Sequence, residues 1–317
     1  MFLLLSVILA QEFHKMSIEV QKLSKYYQEQ LAIDEVSFKV NSGEIVGFLG
    51  PNGAGKSTTM KIISCFIKPS SGNVLVDGVS IHENEIAVKT KIGYLPENNP
   101  LYEDMYVRES IAFIAQIHKV EDVKNSVAEV IEKVGLSKEA HKKIGQLSKG
   151  YQQRVGIAQA IVHDPEVLIL DEPTSGLDPN QLEDIRGLIK ELGRNKTVML
   201  STHIMQEVES ICDRIVVINN GKIVADRNLE KTETPTNNLK EQLVLVEFEN
   251  EIDGNHLKKY FPKTKIEKKD KKWLFQYSGK KDLRKLISKY AQDNEILILE
   301  IKQHTDTLED LFKKLTK

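Results

Sequence analysis

The nine residues "GPNGAGKST", Gly50 to Thr58, follow directly on the apolar run "EIVGFLG" and constrain this chain more than any other stretch. A continuous apolar run that ends in glycine reads as a buried strand meeting a turn. A turn needs one or two glycines, whereas this one carries three, together with a lysine and two hydroxyls. Gly50-x-x-x-x-Gly55-Lys56-Ser57 matches the loop that joins a strand to a helix around a polyphosphate. Glycines let successive backbone N–H groups converge on the anion without side-chain clash, and the helix opening near Lys56 adds its positive end. The Lys56 ammonium reaches the β- and γ-phosphates, and the Ser57 hydroxyl ligates Mg²⁺.

The remainder of the chain supplies a setting for that loop. "VLILDEP" and "TVMLSTH" are again short, continuous and apolar, as strands buried on both faces are. Strand-like and helical runs alternate from Ile18 to about Arg227, the pattern of an α/β sheet that binds ligands at the carboxyl ends of its strands. "SGLDPNQLEDIRGLIKELG" predicts a helix with Asp178 as N-cap, Pro179 at its first position and Gly193 as its stop. Residues 98–160 carry helical periodicity, clearest in Asn98–Gln146, and form a helical subdomain inserted into the sheet. The α/β core spans 16–230. "KTETPTNNLK" within 231–241 reads as a polar linker. Residues 242–317 then run strand, helix, strand, strand, helix, strand, with a closing helix "TLEDLFKKLTK", the order of a small ferredoxin-like α+β domain. The lysine-rich "KKDKKW" reads as a solvated hairpin, and Trp273 as a core anchor.

Lys and Arg (44) nearly balance Asp and Glu (46) over 317 residues, so no basic field draws the chain to nucleic acid. Cys65 and Cys212, both in apolar surroundings, read as reduced buried thiols. "FLLLSVILA" is too short to span a bilayer and lacks a basic flank. Residues 1–15 read as an upstream start-site artefact or a disordered extension before a second start at Met16.

"VLILDEP" presents Asp171 and Glu172 at the end of a strand. Asp171 suits a bound Mg²⁺, directly or through water, and Glu172 suits polarising an attacking water, help worth about 10²–10⁴-fold. His203, at the tip of "TVMLSTH", stands where a γ-phosphate hydrogen bond is expected. "LSKGYQQR", Leu147 to Arg154, offers a second anion-binding helix start through Ser148 and Gly150. One triphosphate does not need two such cradles in one chain, so this loop is expected to cover the nucleotide of another subunit.

Five motifs, "GPNGAGKST", "LSKGYQQR", "VLILDEP", "SGLD" and "STH", stand in the order and spacing of ABC transporter ATP-binding subunits, which residues 17–227 resemble. The resemblance implies an ATPase that needs ATP and Mg²⁺, and a head-to-tail homodimer that sandwiches two nucleotides. Gly50, Pro51, Asn52, Gly53, Ala54, Gly55, Lys56, Ser57 and Thr58 would cradle the phosphates, while Ser148, Lys149 and Gly150 would face the nucleotide of the partner. Asp178 would lie at the dimer seam. Tyr27, or Tyr26 if the register slips by one, would stack on adenine. Ser57, Asp171 and Glu97 would attend the metal; the family usually has glutamine where Glu97 stands, and a second glycine where Tyr151 stands.

"GYLPE", a single ATPase domain and the carboxyl-terminal appendage resemble ABC-2-type exporters. "IGYLPENNPLYEDMYVRE" resembles the gliding-motility-associated members. Such a subunit would sit on the cytoplasmic face of the membrane through a separate transmembrane permease, docked near Glu97 and Tyr102 to Ser110. The alternative is a soluble ABC ATPase acting in translation or DNA maintenance.

Overall fold

The computed structural model describes residues 16–229, 242–277, 279 and 282–304. The extension 1–15, the linker 231–241 and the closing helix "TLEDLFKKLTK" lie outside them. The described residues form two compact units, 16–229 and 242–304.

In the first unit, β1 (Met16–Tyr27) and β2 (Gln30–Asn41) form a hairpin, and β3 (Ile45–Leu49) leads through the glycine loop into α1 (Lys56–Ile63). Next come β4 (Ser71–Val76), β5 (Val79–Ser80), α2 (Glu85–Lys91) and β6 (Ile92–Leu95). Helices α3 (Val107–Ile117), α4 (Val123–Lys133) and α5 (Lys149–Ile161) precede β7 (Val167–Asp171). The unit continues with α6 (Pro179–Gly193), β8 (Thr197–Thr202), α7 (Met205–Ile211), β9 (Arg214–Asn219) and β10 (Lys222–Asn228).

These strands make two sheets. A six-stranded sheet has the order β10-β9-β3-β8-β7-β6, parallel except for β10 at its edge. The sequence reading expected parallel α/β alternation from Ile18 onward. Instead β2, β1, β4 and β5 pair antiparallel in a sheet of their own. The difference is physical: β2 alternates buried and exposed residues as a one-sided sheet does, whereas β3, β7 and β8 are buried throughout. One core joins them, with Ile18, Val20 and Phe38 from the antiparallel sheet, Met60 and Ile63 from α1, and Phe48, Ile169 and Met199 from the parallel one. Parallel strands need long crossovers, and the connection from β6 to its neighbour β7 is where α3, α4 and α5 are inserted.

Helix α6 begins as the sequence dictates: Asp178 Oδ1 accepts from the amides of Asn180 and Gln181, with Pro179 at the first helical position. It ends at Gly193, as expected. Gly193 is absent from the positive-φ positions; a Cβ there would lie 2.3 Å from Ile45 Cδ1, so the glycine admits the neighbouring strand.

In the second unit, β11 (Gln242–Phe248), α8 (Gly254–Tyr260), β12 (Thr264–Lys269), β13 (Lys272–Tyr277), α9 (Leu283–Asp293) and β14 (Ile298–His304) follow in turn. The sheet order β12-β13-β11-β14, antiparallel throughout, is that of two interleaved βαβ units. Trp273 packs in its core with Phe261, Phe275 and Tyr290, and "KKDKKW" turns between β12 and β13 at Asp270 and Lys271. Both cysteines, in the first unit, are buried and free.

Beside β6, His163 Nε2 lies 3.2 Å from the Ile92 carbonyl, and its ring stacks on His118 at 3.7 Å. A carbonyl only accepts, so Nε2 carries the proton; the buried Nδ1 has no hydrogen-bond partner. Burial, then the His118 ring and Lys196, push the imidazole down to about 4 against the opposing pull of the Ile92 carbonyl and Asp164. Burial lowers His118 as well. The unfolded chain takes up the His163 proton near its ordinary value of about 6.5, and the folded chain resists it until about 4. Stability is therefore retained above the higher value and lost as pH falls between the two, by at most about 3 kcal/mol. Urea titrations at pH 7 and pH 4.5 should show this loss, and His163→Phe should shrink it; equal slopes in both proteins would remove His163 as the cause.

Candidate active site

Strand β3 delivers the glycine loop to the carboxyl edge of the parallel sheet. Gly50 is required by close approach, since a Cβ there would lie 2.4 Å from the Ile218 carbonyl of β9. Gly55 is required by conformation: its φ is +109°, at the N-cap of α1. The first intrahelical bond runs from Thr59 N–H to Gly55 O, so the amides of Lys56, Ser57 and Thr58 have no partner within the helix. Ala54 is buried, and its amide donates to the Pro51 carbonyl at 3.1 Å, which closes the loop on itself.

Lys56 is almost fully buried. Its Nζ donates to the carbonyls of Gly50 at 2.9 Å and Pro51 at 3.3 Å, and lies 3.4 Å from Glu172 Oε1. Glu172, on the far side, also meets His203, whose Nδ1 is 2.9 Å from Glu172 Oε2. Glu172 is held with φ near +50°, a left-handed conformation uncommon outside glycine and found where surroundings impose it.

Strand β8 lies between β3 and β7, so Asp171 reaches the loop across Ser201. Asp171 has no solvent exposure; its Oδ1 accepts from Ser201 Oγ at 2.6 Å and Ser57 Oγ at 3.1 Å. Its Oδ2 is buried without a hydrogen-bond partner. Burial raises its carboxyl above the ordinary range, the two serine hydroxyls pull it back, and the charge of Glu97 raises it further. Ser201 also accepts from the Glu172 amide at 2.9 Å, so one hydroxyl fixes both acidic residues.

An open cleft of about 680 Å³ lies over this arrangement, within the range of small-molecule sites. Tyr27, Asn52, Gly53, Gly55, Lys56, Ser57, Thr58, Glu97 and Glu172 line it, as do Gln30, Leu31, Ala32, Asn220 and Gly221. Of the two tyrosines offered by the sequence, Tyr27 is the one on the cleft. Ser148, Lys149, Gly150 and Asp178 do not line it. Ser148 and Lys149 are exposed at the start of α5, with Gln181 Nε2 3.5 Å from the Ser148 hydroxyl.

Sequence reasoning missed Ser201, although it stands in the quoted "STH"; its role depends on β8 lying between β3 and β7, which no local pattern reveals. It also missed the β2 side of the cleft, Gln30 to Ala32, because the antiparallel sheet was not foreseen.

A family model described as ABC transporter matches residues 33–175. The chain is 36% identical over 311 residues to the bacitracin transport ATP-binding protein BcrA of Bacillus licheniformis, covering 94% of this chain and 96% of that one. This chain belongs to the ATP-binding proteins of ABC transporters. It is also 38% identical over 211 residues to the linearmycin resistance ATP-binding protein LnrL of Bacillus subtilis, covering 66% of this chain and 68% of that one. Among solved structures, the dimeric post-hydrolysis state of the ATP-binding cassette MJ0796 bound to ADP and Pi superimposes with a TM-score of 0.62 at 28% identity, covering 67% of this chain and 99% of that one. The ABC ATPase fold is thus established, with ATP as its nucleotide.

Lys56 alone offers a buried ammonium to the cleft among the residues that line it. Lys56→Ala should abolish tight ATP binding in equilibrium titration of the folded variant. An unchanged dissociation constant would contradict the phosphate-cradle geometry.

Proposed function

We propose that this chain is the ATP-hydrolysing subunit of an ABC-2-type exporter, acting as a head-to-tail homodimer beneath a separate transmembrane permease. The observation that carries the reading is the separation of two anion-binding loops in one chain. The Lys56 cleft is open, while Ser148 and Lys149 sit exposed and away from it, with Gly150 buried behind them. In a head-to-tail pair, Ser148, Lys149 and Gly150 of one copy close the cleft of the other, with Asp178 at the seam.

Within the cleft, Tyr27 supports the adenine by stacking, and Lys56 leaves the Gly50 and Pro51 carbonyls for the phosphates. The donor set fits a hard divalent cation: the Ser57 hydroxyl, the unpartnered Asp171 Oδ2 and the Glu97 carboxylate are oxygen ligands at one edge. Mg²⁺ bound there would supply positive charge for the polyphosphate. Glu172, released from Lys56, orients the attacking water and accepts its proton. His203, now paired with Glu172, donates toward the γ-phosphate. Glu97 brings a negative charge where an amide is usual, and this charge is expected to alter coupling to the permease.

The names of the relatives, bacitracin transport and linearmycin resistance, support export of a cargo, and gliding motility as the process served rests only on the resemblance of Ile92 to Glu109. A role in translation or DNA maintenance is not favoured, since the charge is balanced and the motif set single. Among the described residues no helix is long and apolar enough to cross a membrane, so export needs a partner that does.

For that partner we favour the apolar groove of about 610 Å³ lined by Phe66, Ile86, Tyr94, Ile117, His118 and His163. Phe66 and Ile86, 69% and 76% exposed, line the same apolar groove, and a contiguous apolar patch is what marks an interaction site. The segment Tyr102 to Ser110 leads into α3, whose far end reaches the groove at Ile114 and Ile117. Phe66→Asp should abolish co-purification with the permease while leaving basal ATPase activity within about twofold, since the side chain is remote from the cleft. Undiminished co-purification would move the docking surface elsewhere.

A further inference from the structure

Glu207 is fully buried on α7, beyond the cleft and outside every motif read from the sequence. Its two carboxylate oxygens are bound to two different segments, the loop after Glu172 and the end of β8. Oε1 accepts from Thr174 Oγ1 at 2.5 Å, and Oε2 accepts from Thr202 Oγ1 at 2.6 Å. Thr174 lies two residues beyond Glu172, and Thr202 immediately precedes His203. Both threonines are buried, and Thr202 Oγ1 also accepts from the Ile204 amide at 3.0 Å, so its hydroxyl proton is committed to Glu207.

Burying a carboxylate is costly unless it is satisfied by strong hydrogen bonds. Charge-assisted bonds from two hydroxyls, in the first turn of a helix, meet that need. A cap for α7 alone would account for Thr202, which leads into the helix, but not for Thr174, which comes from the loop after Glu172. What the arrangement does is fix the distance between the backbone after Glu172 and the backbone before His203. Those two side chains meet each other 2.9 Å apart at the edge of the cleft. Ser201 stitches the same two segments on the Asp171 side, through the Glu172 amide. Glu207 completes the frame from behind.

We propose that Glu207, with Thr174 and Thr202, is a positioning element for the Glu172–His203 pair, acting on turnover and not on nucleotide affinity. This inference rests on the assignment of Glu172 and His203 to hydrolysis. Near-attack geometry is steep in position, so loosening the frame is expected to lower kcat about 10- to 100-fold.

The test uses the full chain and separates turnover from binding. Thr174→Val removes one hydroxyl at nearly constant volume, and Thr174→Ser restores it. Glu207→Ala removes both bonds; Glu207→Gln retains an acceptor for one threonine and a donor toward the other. Thr174→Val and Glu207→Ala should lose kcat with KM for ATP within about twofold of the parent, and Thr174→Ser and Glu207→Gln should recover most of it. Should Glu207→Ala fail to fold by thermal melting, the Thr174 pair decides alone. Unchanged kcat in folded Thr174→Val, a loss confined to KM, or a serine variant as impaired as the valine one would overturn the proposal. Absence of hydrolysis in the parent chain, or full activity in Glu172→Gln, would instead overturn the assignment of the site beneath it.

Discussion

Asp171 is a carboxylate without solvent exposure, one oxygen of which is taken by two serine hydroxyls while the other has no hydrogen-bond partner. Such a group is expensive to bury, and the protein bears that cost at the point where the glycine loop, β7 and β8 converge. Three elements distant in sequence are thereby held in one relation: Ser57 at the start of α1, Asp171 at the end of β7, and Ser201 near the end of β8. The same serine holds the Glu172 amide. The rest of the first unit reads as scaffolding for this junction, with fully buried strands beneath it and helices inserted at the sheet edge beyond β7.

Charge pairing organises the groups beside the junction. Lys56 is nearly buried and bound by two carbonyls and Glu172. Glu172 in turn bridges Lys56 and His203. The charged groups at the cleft are thus paired with one another, and Glu207 and its threonines lie outside these pairs.

Much of this was legible from the residues. The glycine loop, the Asp171–Glu172 pair and the capped start of α6 are local patterns, and local patterns survive into structure because backbone geometry and capping act over a few residues. The second unit was legible for the same reason, since every strand and helix has its own period. What was not legible is pairing. The antiparallel sheet of β2, β1, β4 and β5 is set apart by the one-sided burial seen in β2, and which strands pair is a contact between distant segments. Ser201 and Glu207 act across strand order and loop packing, so their neighbours in sequence carry no signal of the contact. Gly193 does end α6, and its lack of a side chain also answers to a contact with Ile45 that no local pattern reveals.

The account requires that a nucleotide be enclosed by two copies, because Ser148 does not line the cleft that Lys56 lines. Light scattering on Glu172→Gln with Mg²⁺ and ATP decides this. The mass should double from the 36.0 kDa of one chain, return to it when ATP is omitted, and fail to double when Ser148→Arg is added. A mass that stays at that of one chain with ATP bound, or doubling indifferent to Ser148→Arg, would contradict it.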